Sequence, residues 1–449
     1  MYQKNPSIAK GADWIMIVLY ILMVSIGLLC IFSVEYKTGD SVIQSFIGFK
    51  KNYSKQLFYF GACGLLAIFI LLTDSKLFTA MANLSYLAGI LLILATFVVG
   101  KEIKGSKSWI PLGFMNLQPV ELCKIFVSLA LAKYLSQQEV DFSKQRSQLI
   151  AAAIVFSPAV FSIMQGETGL ALVYFAFLIP MYREGLPPGY MIVGAAMGVL
   201  LVVSLLFSAK TLIIAFSIVA VLLIALMRRT IFKRNRQLLI LITIIWLFCS
   251  LFVGVAVPFV FKHVLKGYQA DRIFSMVGVD NPFADKSAAL DEVELKKKER
   301  KKQQQAYNVK QSKIAIGSGG FWGRGFLQGT QTQGDFVPEQ HTDFIFTSVG
   351  ENFGFVGSAL LMLLYLGLLF RIVFIAERQR STFSRVYAYS VAGIIFFHVS
   401  VNICVTIGLA PVIGITLPLI SYGGSSLLTF TILLFILIKL DADRQMVLR

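Results

Sequence analysis

Apolar residues run along this chain in long blocks broken by short polar clusters. Each block is about the ~20 residues that a helix needs to cross a bilayer. Twelve such spans can be read, near 12–33, 56–73, 80–99, 119–136, 149–164, 168–182, 189–208, 211–227, 238–261, 344–370, 386–407 and 419–440. The pair at 149–164 and 168–182 is short and is joined only by Gln165, Gly166 and Glu167. The pattern predicts an all-α polytopic membrane domain over 1–449 with one large loop at 262–342.

Composition agrees with the pattern. Of 449 residues, 57% are hydrophobic and 14% charged, which excludes an ordinary soluble domain. Lysine and arginine set the orientation. With the N-terminus inside, the inner segments carry 18 of them and the short outer loops carry 8, so both termini are expected in the cytoplasm and the 262–342 loop outside. The net charge of +17 is scattered between spans. It suits anionic membrane lipids or an anionic lipid-linked substrate rather than nucleic acid. The five cysteines all fall inside spans and read as packing residues, not as a disulfide or metal framework.

Candidate chemistry concentrates at the mouth of one span. Pro338, Glu339, Gln340, His341, Thr342 and Asp343 lead directly into the apolar run from Phe344. An acid so close to hydrocarbon is expensive, which favours a functional role. Asp343 is the best candidate base, wet enough to exchange protons and apolar enough to hold one. The competing reading makes it only the N-cap of the following helix. His341 could tune it, bind a phosphate or cap the helix.

A second group opens the span at 119–136. Gln118 precedes Pro119, which suits a first helical turn, and Glu121 and Lys124 lie three apart on one face. They form either a structural ion pair or a cavity wall whose lysine meets an anionic substrate. A third group, from Asn402 through Pro411, Gly414 and Pro418 to Ser421, Tyr422, Gly423, Gly424, Ser425 and Ser426, interrupts an apolar stretch with helix breakers. Broken backbone at membrane depth must be buried or line a cavity, so a discontinuous segment is predicted there. Glycines 317, 319, 320, 323, 325 and 329 with Phe321, Trp322 and Phe326 suggest either a bent segment at the membrane surface or a flexible loop. The Lys296–Lys302 run reads as a solvated or membrane-surface helix.

Together these pieces resemble the SEDS family (shape, elongation, division and sporulation proteins), and its RodA branch more than its FtsW branch. The matching stretches are Trp109 to Gly113, Gln118-Pro119 with Glu121 and Lys124, Tyr268-Gln269 with Arg272, Gln311-Ser312 leading to Gly317 to Gly320, Pro338 to Phe346, and Gly414 to Ser426. The resemblance implies a peptidoglycan glycosyltransferase that polymerises lipid II into β-1,4-linked glycan on the outer face of a bacterial cytoplasmic membrane during elongation and shape maintenance. It places the key aspartate at Asp343. It adds Gln118, Glu121, Lys124, Arg272, Glu339, His341, Ser421 and Ser425 as substrate-binding candidates, with Lys124 and Arg272 on the pyrophosphate and Glu121 positioning Lys124. It also implies a divalent cation (Mg or Mn), a class B penicillin-binding protein as partner, and the elongation proteins MreC and MreD. The family has ten spans, so an additional pair is expected within 189–261. Gln165-Gly166-Glu167-Thr168-Gly169 stands where the family has Gln-Pro-Asp-x-Gly. The rival functions are a flippase for lipid-linked precursors, whose charges should sit near the bilayer midplane, and a non-catalytic scaffold for the penicillin-binding protein.

Overall fold

The computed structural model describes residues 11–37, 43–44, 48–103, 106–113, 115–227, 236–264, 274, 307–410 and 412–444. Two compact units are resolved, one made of residues 1–186 with 308–449 and one of 187–307.

The first unit begins with α1 (Trp14–Glu35), α2 (Asn52–Leu72) and α3 (Ser75–Val99). Asp13 caps α1 by accepting from the Met16 amide, and Asp74 caps α3 by accepting from the Lys76 amide. The Glu35 carboxylate, at the end of α1, accepts from the Asn52 and Tyr53 amides and so fastens the start of α2. A small antiparallel sheet follows, β1 (Lys101–Ile103), β2 (Ser106–Pro111) and β3 (Asn116–Leu117), in the order β1-β2-β3. Trp109 pairs with Lys101, and Ile110 with Leu117. The sequence reading placed no strand here, because three strands of two to six residues lie within the space of one interhelical loop.

Next come α4 (Pro119–Leu135), α5 (Gln145–Met164) and α6 (Thr168–Arg183). The predicted short span at 168–182 is helical but tightens to a 3-10 turn over Tyr174–Phe177. The second unit holds α7 (Pro188–Leu206), α8 (Ala209–Leu226) and α9 (Gln237–His263). These three helices occupy the 189–261 region. The last of them widens into π-helical turns at Phe252–Ala256 and Val260–Val264, and the Trp246 indole donates to the Ser217 hydroxyl at 3.0 Å to join α9 to α8.

Back in the first unit, α10 (307–319) shows that the end of the predicted large loop is helical. It is seated by the Ser312 hydroxyl, which bonds the Thr347 hydroxyl and the Thr406 carbonyl, both at 2.8 Å. Three long helices close the chain: α11 (Ile345–Arg378), α12 (Thr382–Thr406) and α13 (Gly424–Ala442). Gly354 in α11 leaves helical geometry (φ 64°) and kinks it. The glycine-rich run fills that kink: the Arg324 and Gly325 amides donate to the Glu351 and Asn352 carbonyls, and the Phe355 amide donates to the Gly320 carbonyl. This is a bent, hydrogen-bonded segment rather than a free loop. Glu351 fastens it further by accepting from the Gln331 and Thr332 amides, both at 2.8 Å.

Nine of these helices are at least 18 residues long and apolar enough to span a bilayer, among the described residues. The other three predicted spans fall on α4, α6 and α7, which are helical but are not among those nine. α13 and α4 are buried along almost their whole length, while α2 and α3 expose most of their apolar side chains, as lipid-facing helices do. Lipid supplies no hydrophobic drive between helices, so close packing and interhelical polar contacts hold this interior together.

Candidate active site

The stretch before α11 and the broken segment before α13 are bound to each other residue by residue. The Tyr422 amide donates to the His341 carbonyl at 2.8 Å. The Ser421 hydroxyl donates to the Thr342 carbonyl at 2.6 Å. The Asn402 side-chain amide, from α12, donates to the Asp343 carbonyl at 2.8 Å and to the Ile415 carbonyl at 2.7 Å. Three consecutive carbonyls are thus fixed from one side. The broken segment is as predicted: the described residues between α12 and α13 leave the α-helix, and Asn402 satisfies the Ile415 carbonyl from α12.

Asp343 lies in the turn before α11, whose N-cap is Phe344 with no side-chain capping bond. The capping reading of Asp343 is therefore not what the fold uses. Its carboxylate faces Gly414, where an added Cβ would sit 3.6 Å from Asp343 Oδ2. Gly414 has φ 71°, a conformation that side chains other than glycine adopt with strain. Glu339 also has a positive φ, 57°, and accepts from the Thr342 hydroxyl on both its carbonyl and Oε2, the latter at 3.1 Å. The His341 ring stands edge-on to Tyr422 with centroids 5.8 Å apart, and Tyr422 in turn lies 6.4 Å from Tyr59.

The structure gives Ser421 and Ser425 positioning contacts. Ser421 Oγ donates to Thr342 and accepts from the Leu417 amide at 2.9 Å. Ser425 Oγ accepts from the Gln118 amide at 3.2 Å, joining the start of α4 to the start of α13. Gln56, which the sequence reading passed over, grips the same corner: its side chain donates to the Ser421 carbonyl and accepts from the Gly423 amide. A lone glutamine near the start of a span carries no sequence signal for that task.

Lys124 is fully buried. Its ammonium lies 3.9 Å from Glu121 Oε1, so the i,i+3 pair expected from sequence is formed. It also contacts His398 Nε2 at 2.9 Å. His398 Nδ1 is 3.1 Å from the Thr416 carbonyl, which can only accept, so Nδ1 carries the proton and Nε2 accepts from Lys124. The ammonium is enclosed by Glu121, His398 and the Phe430 ring, 5.5 Å away, and does not line an open wall. His398 was not singled out from sequence, although a histidine inside a span was a signal that could have found it. The Glu167 carboxylate accepts from the Ser108 hydroxyl of β2 at 2.8 Å, which ties the sheet to the start of α6. Arg272 and the Lys296–Lys302 run lie outside the described residues.

No three His, Cys, Asp or Glu side chains converge among the described residues to form a metal site.

A family model described as a cell cycle protein, covering FtsW, RodA and SpoVE, matches residues 13–217 and 211–446. The peptidoglycan glycosyltransferase MrdB of Escherichia coli K12 is 30% identical over 372 residues, covering 83% of this chain and 80% of that protein. The peptidoglycan glycosyltransferase RodA of Treponema pallidum is 29% identical, covering 96% of this chain and 97% of that one. A solved chain from a peptidoglycan synthase complex that coordinates polymerization and crosslinking superposes with a TM-score of 0.66 at 25% identity, covering 96% of this chain and 98% of its own. Matched by the family model over nearly its whole length, the chain belongs to the FtsW, RodA and SpoVE family of polytopic membrane proteins.

Proposed function

We propose that Asp343 is the general base of this peptidoglycan glycosyltransferase, and that its substrate is lipid II. The 4-hydroxyl of the acceptor sugar attacks the anomeric carbon of the donor glycan. The new C–O bond forms as the bond to pyrophosphate breaks, so the anomeric centre inverts to a β-1,4 linkage. Asp343 takes the hydroxyl proton, and undecaprenyl pyrophosphate leaves with the electron pair. The observation that carries this reading is the clamp on the His341, Thr342 and Asp343 carbonyls. It fixes the backbone beneath the carboxylate, whose Oδ2 lies beside Gly414. Pre-set geometry of this kind is what a base needs before it can act.

The membrane placement follows the charge bias: both termini cytoplasmic and Asp343 toward the outer face of the bacterial cytoplasmic membrane. Arg272 is the proposed contact for the pyrophosphate. Lys124 acts from behind, holding the broken segment through His398 and Thr416. The Mg or Mn ion implied by resemblance would offset pyrophosphate charge, and no step above depends on it. A class B penicillin-binding protein is the proposed partner, supported by the fold shared with a synthase-complex chain. MreC and MreD are proposed for elongation.

The test is glycan polymerisation from lipid II by the full chain, purified with a class B penicillin-binding protein whose catalytic serine is replaced. Wild type should make polymer, and Asp343→Asn should make none while still folding and holding its partner. Equal polymer from both would remove Asp343 as base. Lipid II translocation without polymer from either would favour the flippase.

A further inference from the structure

We propose that Asn402 is the positioning residue for Asp343, acting through the backbone of residue 343 and through the segment its carboxylate faces. The proposal rests on Asp343 being the base.

Asn402 and His398 lie one turn apart on the same face of α12, and both are buried. They bind adjacent carbonyls of the broken segment, Asn402 that of Ile415 and His398 that of Thr416. Asn402 alone also reaches the other stretch, through the Asp343 carbonyl. One planar amide nitrogen therefore sets the distance between residue 343 and residue 415. Gly414, next to Ile415, lies against the carboxylate.

The orientation of the amide follows from its partners. Two carbonyl oxygens within 2.8 Å require the nitrogen, because an oxygen there would meet two acceptors. The remaining oxygen, Oδ1, is buried and has no hydrogen-bond partner among the described residues. A buried acceptor left unmade is unfavourable. The paired donation is what the position gains in exchange. No other standard side chain of this size carries two donors on one atom: Asp and Leu offer none when Asp is ionised, and Ser offers one.

Loss of this brace should move the base more than it loosens the fold. The carbonyls of His341 and Thr342 remain held by Tyr422 and Ser421, and the helices on either side are long. A displacement of about 1 Å at a reacting group can cost roughly 10²-fold in rate.

The experiment uses the full chain with its serine-inactivated penicillin-binding protein and measures initial rates of polymerisation across lipid II concentrations. Asn402→Asp, Asn402→Ser and Asp343→Asn are compared with wild type, with thermal midpoint and partner co-purification recorded for each. The expected result is a folded Asn402→Asp with kcat down by roughly 10²-fold and KM unchanged, Asn402→Ser between it and wild type, and Asp343→Asn inactive. If Asn402→Asp does not fold, Asn402→Ser alone carries the comparison. Full kcat in the folded variants, with Asp343→Asn inactive, would overturn the role of Asn402 and leave the base in place. A fall in kcat that merely tracks the thermal midpoint, or a rise in KM with kcat intact, would also overturn it. An active Asp343→Asn would instead defeat the underlying assignment of the base.

Discussion

Lys124 and His398, 274 residues apart, meet at 2.9 Å in the interior of the helix bundle. The lysine donates to Nε2, Glu121 balances its charge at 3.9 Å, and the far nitrogen of the histidine holds the Thr416 carbonyl of the broken segment. A positive charge in this interior thus helps fix the backbone that runs past the Asp343 carboxylate.

Removing the charge should be worse than removing the pair. Lys124→Met leaves Glu121 buried without its cation, and breaking a buried pair costs about 3–5 kcal/mol. Lys124→Met combined with Glu121→Gln should recover much of that loss. Thermal unfolding of the single and double variants in detergent checks this, and additive losses would show that the two side chains do not act as a pair.

Gly414 should accept a side chain only with backbone strain. Its φ of 71° costs an L-residue about 1–2 kcal/mol, while a Cβ would stand in ordinary contact, 3.6 Å from the Asp343 carboxylate. Gly414→Ala is expected to fold and hold its partner but to polymerise lipid II at least about tenfold more slowly, since relief of that strain would shift the segment beside Asp343. Wild-type rates from this variant would mean that the space beside Asp343 is not used.

Gly169 admits the same segment from the other side. A Cβ there would lie 2.2 Å from the Ile413 carbonyl, closer than any real contact. Gly169→Ala must push residues 412–416 or the start of α6. The expected outcome is a lower thermal midpoint, by about 1–3 kcal/mol of stability as in other overpacked interiors, together with reduced polymerisation.

Ser421→Ala should weaken the link between the two stretches, which the Tyr422 amide still joins at the His341 carbonyl. It leaves the Thr342 carbonyl and the Leu417 amide without their partner. Each buried group so orphaned costs about 1–3 kcal/mol. A midpoint equal to wild type would show that water or a shifted neighbour replaces the hydroxyl.

Acid should loosen the other end of the first unit. Asp13 accepts from both Arg371 and Arg378, with Arg371 Nη2 at 2.7 Å and Arg378 Nη2 at 2.9 Å. Burial alone would raise its pKa, but the bonds from Arg371, the Met16 amide and Arg378 outweigh burial and hold it below the ordinary 3.8. A carboxylate with a depressed folded value stabilises above the unfolded pKa and loses that contribution as pH falls through the folded one. The thermal midpoint should therefore be steady at neutral pH and fall below about pH 4, with a smaller acid dependence in Asp13→Asn. An unchanged acid limb in that variant would exclude Asp13 as its source.

Much of this protein is local and so was legible in the chain itself. Apolar runs of bilayer length gave the spans, because a helix in lipid must satisfy its own backbone and present apolar side chains all round. Asp343 was visible for the same reason, as an acid where hydrocarbon begins, and Pro418 with Gly423 and Gly424 marked the break before α13. The partners of these residues were not visible. Which carbonyl Asn402 reaches, which ring accepts from Lys124, and that Ser421 is used within the chain all depend on how α4, α12 and α13 are rotated and staggered against one another. That register is set by packing summed over whole helix faces, and no short stretch of sequence carries it. The same holds for α10 and the small sheet, whose segments are too short or too polar to declare themselves until the long helices give them a surface to rest on.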